Sequence, residues 1–185
     1  MNMMRFPKPV RVGLYIVAFI LAFNAGNAFV KWRQDNSPAA KEARAMESQY
    51  RPAFKLPDIN GLMHDVNEWN GSVLVINFWA TWCPPCRKEM PAFIDLNEKY
   101  HIQGLQFVGI ALDDADKVKD FIDTNGVEYP ILLGADEAVK VSTEYGNRLG
   151  ALPYTSVINR EGRIVKTYRG EVPQDALEKL ILKHL

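Results

Sequence analysis

A nearly continuous apolar segment that leads into two closely spaced cysteines limits how this chain can fold more than any other feature. The segment Val73–Trp79 reads VLVINFW, which is typical of a strand buried on both faces of a sheet. Cys83 and Cys86, the only cysteines among 185 residues, follow it, and apolar residues at helical spacing then continue to Tyr100. The sequence therefore predicts two thiols at the junction between a buried strand and a helix.

Strand and helix patterns alternate along the rest of the chain. A turn at Asn60-Gly61 predicts a small hairpin, and Asp114 is placed to cap a helix that begins near Ala115. The apolar patterns predict further strands at Leu105–Leu112, Pro130–Leu133, Tyr154–Asn159 and Arg163–Arg169, and further helices at Ala135–Tyr145 and from Pro173 onward. This alternation, closed by a hairpin and a helix, predicts an α/β sandwich around a mixed central sheet.

The N-terminal 35 residues have the composition of an export signal or a membrane anchor. The apolar run Val12–Phe23 is preceded by three basic residues, Arg5, Lys8 and Arg11, as in a secretory signal. The uncharged stretch extends to Val30, and at about 1.5 Å per residue it would reach roughly 28 Å, close to the ~30 Å core of a bilayer. Because Gly26-Asn27-Ala28 also resembles a cleavage site, we expect either an uncleaved anchor or a removed signal peptide. Either would carry the body of the chain out of the cytoplasm.

The charge distribution agrees with this division. Residues 1–35 hold five basic side chains and one acidic side chain, which leaves 17 basic and 21 acidic side chains in the remaining 150 residues. That balance argues against a nucleic-acid partner, which would favour a clustered basic face. Residues 36–52 lack apolar periodicity and predict a solvated, partly helical linker, so that the folded domain comprises residues 53–185.

The two cysteines are the candidate reactive groups. At a helix N-terminus, unpaired backbone N–H groups and the helix dipole lower the pKa of a thiol, which makes Cys83 the candidate thiolate. Cys86 lies one turn further along, at a spacing that permits a disulfide, so the chemistry implied is thiol-disulfide exchange. Pro84 has no N–H to lose at the first helical turn. Pro85 removes another donor that would otherwise approach the Cys83 sulfur.

Other chemistry has less support from the residues. A zinc site needs about four ligands, and the three histidines, His64, His101 and His184, show no ligand spacing. We therefore expect no metal and no cofactor. The acidic run Asp113–Asp116 is accounted for by a helix cap. A purely structural disulfide across one turn would remove little chain entropy and is the weaker interpretation.

Two segments carry a resemblance to a known family. The first is NFWATWCPPCRKEMP, from Asn77 to Pro91, and the second is GALPYT, from Gly150 to Thr155. Together they resemble the thioredoxin superfamily, and within it the membrane-anchored TlpA/ResA-type thiol-disulfide oxidoreductases of bacteria. The resemblance covers Ala53–Leu185 and implies a thioredoxin-like fold, with a central mixed sheet flanked by helices. It also implies an N-terminal hairpin and an inserted strand-helix unit, which we place at about Gly126–Arg148.

The resemblance further implies roles for individual residues. Cys83 corresponds to the exposed nucleophile and Cys86 to the resolving cysteine of the redox-active pair. Pro153 corresponds to the cis-proline that faces the disulfide, where the backbone at Leu152 would pair with a substrate chain. Trp82 would shield the dithiol. The residues expected to contact substrate are Trp82, Pro84, Pro85, Leu152 and Pro153.

Three further positions refine the resemblance. Asn77 stands where general thioredoxins have a buried aspartate, and because it cannot titrate, that acid-base role is vacant. Glu89, one turn after Cys86, corresponds to a glutamate near the active site of ResA-type members, where burial would raise its pKa and let it exchange a proton with Cys86. Helical spacing alone instead favours an ordinary surface glutamate at Glu89. Tyr154 replaces the glutamate of a Pro-Glu-Thr segment that cytochrome-maturation members often carry, which argues against an apocytochrome client.

We therefore expect an exported thiol-disulfide oxidoreductase that reduces disulfides in other exported proteins. We expect a monomer with one N-terminal span in the bacterial inner membrane and its domain in the periplasm, and the resemblance implies a thiol-electron transporter of that membrane as reductant. Signal cleavage would instead leave a soluble periplasmic protein. Two alternatives stay open: a thiol peroxidase, although Thr81-Trp82-Cys83 does not fit the usual peroxidatic spacing, and a non-catalytic thioredoxin-like binding module. The direction of exchange is not set by Cys-Pro-Pro-Cys, because the potential depends on the relative stability of thiolate and disulfide.

Overall fold

Strands and helices alternate through most of residues 8–185, the part of the chain that the computed structural model describes. Arg5, which precedes residue 8, therefore lies outside the described residues. The side chains of residues 8–14, 34, 35, 39, 40, 42 and 43, which include those of Lys8 and Arg11, also lie outside the description. The elements are, in chain order, α1 (Lys8–Asp35), α2 (Pro38–Met46), β1 (Lys55–Pro57), β2 (Met63–Asp65), β3 (Val73–Trp79), α3 (Pro84–Tyr100), β4 (Leu105–Ala111), α4 (Ala115–Asn125), β5 (Ile131–Leu133), α5 (Ala135–Glu144), β6 (Tyr154–Ile158), β7 (Ile164–Arg169) and α6 (Gln174–His184).

The central sheet has five strands in the order β5-β4-β3-β6-β7. All seven residues of its middle strand, β3, are buried, as the apolar run predicts. β3, β4 and β5 run parallel to one another, whereas β6 is antiparallel to β3 and β7 is antiparallel to β6. The predicted mixed sheet of a thioredoxin-like fold is therefore confirmed.

Helices cover both faces of this sheet. On one side, which we call the cysteine face, the core contains Cys83 and Cys86 together with Phe93 of α3, Val118 of α4 and Leu177 of α6. On the other side, the opposite face, the core is formed with residues of β1 and α5, including Leu56, Phe78, Ala138 and Val141. The candidate reactive sulfurs therefore belong to only one of the two cores.

The predicted N-terminal hairpin is the β1-β2 pair. Gly61, in its turn, has a φ of +82°, a left-handed conformation that favours glycine. Asp58 forms a bridge with Leu132 of β5, which joins the hairpin to the edge of the central sheet. β5 and α5 form the strand-helix unit that was predicted within Gly126–Arg148.

The last residues of the predicted linker lie against the sheet. The N–H of Ser48 donates to the carbonyl of Ile164 at 2.7 Å, and Tyr50 forms an antiparallel bridge with Arg163. Residues 48–50 thus extend the pairing beyond β7. Hydrogen bonds of this kind are made by the backbone, so apolar periodicity gave no sign of them.

The chain separates into two compact units, of which the second comprises Glu42–Leu185. The N-terminal unit contains α1, a helix of 28 residues. Within α1, the segment Tyr15–Arg33 is long and apolar enough to cross a membrane. A membrane anchor and a secretory signal both contain such a helix.

Candidate active site

A disulfide joins Cys83 and Cys86 at the N-terminus of α3, with an S–S distance of 2.02 Å. Cys83 is the N-cap residue and is 3% exposed, whereas Cys86 is completely buried. The resemblance implied an exposed nucleophile, but in this oxidised form both cysteines are packed into the core of the cysteine face. Cys83 is therefore the less buried of the two cysteines.

The first turn of α3 directs few hydrogen-bond donors toward the Cys83 sulfur. Pro84 and Pro85 occupy its first two positions and have no N–H group. The N–H of Cys86 donates to Cys83 Sγ at 3.3 Å, and the N–H of Arg87 donates to the Cys83 carbonyl at 3.2 Å. After reduction, one N–H group and the positive end of the helix dipole would therefore stabilise a Cys83 thiolate.

Asp113 holds the loop that precedes Cys83. Its Oδ2 accepts hydrogen bonds from the Thr81 N–H at 3.0 Å and the Thr81 hydroxyl at 2.5 Å, and its Oδ1 accepts one from the Asp114 N–H at 2.8 Å. Burial acts to raise the pKa of Asp113, but these hydrogen bonds outweigh it and the pKa is lowered. Sequence reasoning assigned Asp113 only to a helix cap, because its contact with Thr81 depends on the parallel pairing of β3 with β4.

The residues predicted to contact substrate lie toward the same end of the sheet. β6 begins at Tyr154, which pairs with Phe78 near the end of β3, so Pro153 lies beside the strand that leads to the disulfide. The Leu152–Pro153 peptide bond is cis. The predicted contact residues differ in exposure: Trp82 and Pro84 are exposed, Pro85 and Leu152 are half-buried, and Pro153 is buried. A substrate approaching the disulfide would therefore meet Trp82 and Pro84 first.

Glu89 lies one turn after Cys86 on α3 and is only 3% exposed, so it is not the surface residue that helical spacing alone suggests. Its Oε1 accepts a hydrogen bond from Asn77 Nδ2 at 2.9 Å, and its Oε2 accepts one from the Val172 N–H at 3.0 Å. Burial raises the pKa of Glu89 from 4.5 to about 7; the two hydrogen bonds oppose this shift and the charge of Glu171 adds to it. A carboxyl group with that pKa exchanges its proton near neutral pH.

Asn77 and Thr155 connect Glu89 to the sheet. They lie opposite each other on β3 and β6, are 2% and 0% exposed, and are joined by a 3.0 Å hydrogen bond from Asn77 Nδ2 to Thr155 Oγ1. Within the described residues, Asn77 Oδ1 has no hydrogen-bond partner. The amide of Asn77 cannot titrate, but it contacts the carboxylate of Glu89, which can.

Thr155 and Val172 are the parts of this network that sequence reasoning missed. Thr155 is 78 residues from Asn77, and Val172 is 83 residues from Glu89. Thr155 lies directly after the Pro153-Tyr154 pair, so its place in the motif was the one available signal. Val172 acts through its backbone N–H, which no side-chain pattern reports.

The histidines and carboxylates do not form a metal site in the part of the chain that the structure describes. No group of three or more His, Cys, Asp or Glu side chains among those residues is arranged to hold a metal ion. His64 instead contacts Glu68, with 2.8 Å between Nδ1 and Oε2.

Comparisons with known proteins agree with this geometry. The redoxin family model matches residues 46–181, a range that includes both cysteines, Glu89 and Pro153. The thiol-disulfide oxidoreductase ResA of Bacillus thuringiensis (strain Al Hakam) is 32% identical over 133 residues, which cover 71% of this chain and 75% of that protein. ResA of Bacillus subtilis (strain 168) is 29% identical over 143 residues, which cover 77% of this chain and 78% of that protein.

The same similarity is found among solved structures. A thiol:disulfide interchange protein of the thioredoxin family from Chlorobium tepidum TLS matches with a TM-score of 0.67 at 26% sequence identity. The match covers 74% of this chain and 96% of that one. Sequence and structure therefore point to the same group of proteins.

Proposed function

The chain belongs to the redoxin family and is a thiol-disulfide oxidoreductase, and from this premise we propose that it reduces disulfides in exported proteins, here called clients. Cys83 is the proposed nucleophile and Cys86 the proposed resolving cysteine. The observation that carries this assignment is the difference in burial between them. Cys83 retains some exposure beside the exposed Trp82, whereas Cys86 is buried one turn from Glu89.

The reaction proceeds in two exchanges. In the first, the Cys83 thiolate of the reduced protein attacks one sulfur of the client disulfide, so that a bond forms between Cys83 and the client and the client S–S bond breaks. The other client sulfur leaves as a thiolate and takes up a proton. In the second, Cys86 attacks Cys83 Sγ, which closes the Cys83–Cys86 disulfide and releases the second client thiol. Two electrons pass from the protein to the client.

Glu89 is the proposed proton acceptor for the second exchange. Cys86 is buried and needs to lose its proton before it can attack. Glu89 is three residues further along α3, a spacing that places both side chains on one side of the helix. With a pKa of about 7, the Glu89 carboxyl group is partly ionised at neutral pH and can take the thiol proton, then return it to solvent or to the leaving client sulfur.

Client binding is assigned to the residues around the sulfurs. We propose that the client backbone lies beside Leu152 and Pro153, and that the exposed side of Trp82 covers the mixed disulfide. The contact surface comprises Trp82, Pro84, Pro85, Leu152 and Pro153. Their position at one end of the sheet, next to Cys83, supports this assignment.

The second half of the cycle requires an external dithiol that reduces the Cys83–Cys86 disulfide. We propose a thiol-electron transporter of the bacterial inner membrane in that role. The apolar segment Tyr15–Arg33 supports residues 1–35 as the anchor. Because residues 48–50 pair with the sheet, the proposed linker is shortened to residues 36–47, and the proposed periplasmic domain begins at residue 48. The intact mass of the protein recovered from cells tests this: retention of the N-terminus indicates an anchor, and cleavage near Ala28 indicates a soluble periplasmic protein.

The direction of exchange is tested by equilibrating the purified full-length protein, in nonionic detergent, with glutathione and dithiothreitol buffers of known potential. Thiol alkylation then reports the fraction reduced. We expect a midpoint near that of thioredoxin, about −270 mV, as for a reductase. A midpoint near about −120 mV would make the protein a disulfide donor and reverse the proposed direction.

The roles of the cysteines are tested by trapping. Cys86→Ser is expected to accumulate a mixed disulfide between Cys83 and a client, because the resolving thiol is missing. Cys83→Ser is the matched control and is expected to trap nothing. If Cys83→Ser retained full activity in cells, a non-catalytic binding module would be the better description.

A further inference from the structure

We propose that a cleft beside the disulfide favours clients that carry acidic side chains close to their own disulfide. This cleft, here called the cationic cleft, has a volume of about 330 Å³ and is lined by Pro84, Arg87, Lys88, Phe121 and Asn125. Because Pro84 is bonded to Cys83, a chain attacked by Cys83 lies next to the cleft. The inference rests on the proposed function, since it specifies which clients the nucleophile meets most often.

The positive charge of the cationic cleft comes from the start of α3. Arg87 is exposed and, within the described residues, its side chain makes no hydrogen bond or ion pair. Lys88 contacts Glu171 at 2.8 Å, but 72% of the Lys88 side chain is exposed, and exposed pairs of this kind are held weakly. The first turn of α3 contains no acidic residue, and the helix dipole adds partial positive charge there.

α4 forms the other side of the cleft. Phe121 and Asn125 line this side and share one stripe of the helix, at i, i+4 spacing. The Phe121 ring packs against the buried ring of Trp79, with 5.2 Å between their centroids. The cleft therefore combines a fixed apolar surface on α4 with the cations Arg87 and Lys88 on α3.

The acidic residues near α4 do not neutralise the cleft. Asp113 is bound to the loop before Cys83, and its charge is opposed by that of Lys117, which does not line the cleft. At 100° per residue, Asp116 and Asp123 project from the side of the helix away from the Phe121 stripe, and Asp120 lies at its flank. Asp123 is paired with Lys119 at 2.8 Å.

An acidic polypeptide segment is the occupant that fits this surface. A carboxylate can form two parallel hydrogen bonds to the guanidinium group of Arg87, while neighbouring apolar atoms of the client contact Phe121. The part of the chain after residue 35 has 17 basic and 21 acidic side chains, so the cationic cleft is a local exception on a negatively charged body. Charges at the rim of an interface act mainly on the rate of association.

The test uses three short peptides that each contain one intramolecular disulfide and differ only in two flanking residues, which are Glu, Gln or Lys. The reduced full-length protein in nonionic detergent is mixed with each peptide, and the second-order rate of reduction is followed by rapid alkylation. At low ionic strength we expect the Glu peptide to react roughly fivefold faster than the Lys peptide, with the Gln peptide between them. At about 0.5 M salt, the difference is expected to shrink toward unity.

Two charge-reversal variants locate the effect. Arg87→Glu is expected to reverse the order of the Glu and Lys peptides when each rate is divided by that of the Gln peptide for the same variant. Lys183→Glu changes the net charge by the same amount on an exposed residue of α6 and is expected to preserve the order.

Each outcome decides the matter. Equal rates for the three peptides would overturn the inference, and a preference that survives Arg87→Glu would overturn its assignment to the cationic cleft. Failure to reduce even the Gln peptide would overturn the proposed reductase function, and the inference with it. A preference for Glu that Arg87→Glu reverses and Lys183→Glu preserves would establish the inference.

Discussion

The two faces of the central sheet are buried to a similar degree but differ in the chemistry they contain. On the cysteine face, Asn77 of β3 and Thr155 of β6 are paired and hold the buried Glu89. One residue along the same two strands, Phe78 pairs with Tyr154, and their rings lie 6.2 Å apart in the core of the opposite face. Because successive side chains of a strand point to opposite faces, a single step along β3 separates a titrating network from apolar packing.

This difference indicates that the two faces of β3 have different roles. Apolar burial on the opposite face supplies stability and places no charge near the sulfurs. The cysteine face contains a carboxyl group whose burial opposes ionisation, which destabilises the folded protein whenever the pH favours the charged form. We therefore expect substitutions on the opposite face to change stability alone, and substitutions on the cysteine face to change pH dependence.

The largest effect on stability is expected from Phe78→Ala on the opposite face. Removing this ring leaves a cavity between Tyr145 and Tyr154, whose centroids lie 5.8 Å and 6.2 Å from that of Phe78, and should cost roughly 3–5 kcal/mol. Urea denaturation measures the loss, and Phe78→Leu serves as the control that fills most of the volume. The pH profile of the exchange rate should be unchanged. A shifted profile would show that the two faces are coupled.

The next largest effect is expected from Glu89→Gln on the cysteine face. The pKa of Glu89 is raised from 4.5 to about 7, so the unfolded chain loses this proton at a lower pH than the folded protein. Stability contributed by this group therefore falls between about pH 4.5 and pH 7 and is constant above pH 7. The substitution should recover up to about 3 kcal/mol at pH 8 and nothing at pH 4. Urea denaturation at both pH values measures the difference, and Glu98→Gln, on an exposed residue of the same helix, is the control.

The same variant tests the proposed proton transfer. If Glu89 accepts the proton of Cys86, Glu89→Gln should slow release of the client from the mixed disulfide by roughly 100-fold at pH 7. The inflection near pH 7 should disappear from the rate profile. Retention of that inflection in Glu89→Gln would assign it to another group.

The local elements and the reactive motif could be predicted from the sequence, because they depend on short-range patterns. β3 was predicted with the bounds Val73–Trp79 that it has, and the strand-helix junction located both cysteines. The cap at Asp114 was likewise predicted, since its side chain accepts a hydrogen bond from the Asp116 N–H two residues away.

The environment of Glu89 could be predicted only in part. Its raised pKa was expected from resemblance to ResA-type proteins, whereas the hydrogen bonds from Asn77 and Val172 depend on strand register and on a backbone group far along the chain. From the sequence, the one property assigned to Asn77 was that it cannot titrate. Its role as a hydrogen-bond donor to Glu89 depends on Thr155, which lies opposite it on the neighbouring antiparallel strand.

A smaller effect is expected from Asn77→Asp, which replaces an amide by a carboxyl group of the same shape. The hydrogen bond to Glu89 Oε1 at 2.9 Å would be exchanged for a second carboxyl group at that position. Two carboxyl groups so close share one proton. We expect the inflection of the rate profile to move above pH 7 by about one unit and stability at pH 8 to fall by about 2 kcal/mol. An inflection that stays in place would show that Asn77 does not influence Glu89.

The smallest effect is expected from Thr155→Val, which removes only the acceptor of the 3.0 Å hydrogen bond from Asn77 Nδ2. We expect the free energy of unfolding, measured by urea denaturation, to fall by about 1 kcal/mol. We also expect the apparent pKa of Glu89 to rise by less than one unit, because the Asn77 amide, no longer bound to Thr155, is less firmly oriented toward the Glu89 carboxylate. Thr155→Ser keeps the hydroxyl group and should leave the rate profile in place. If Thr155→Val also left the profile in place, the hydrogen bond would not matter, and the orientation of Asn77 would have to come from Glu89 itself.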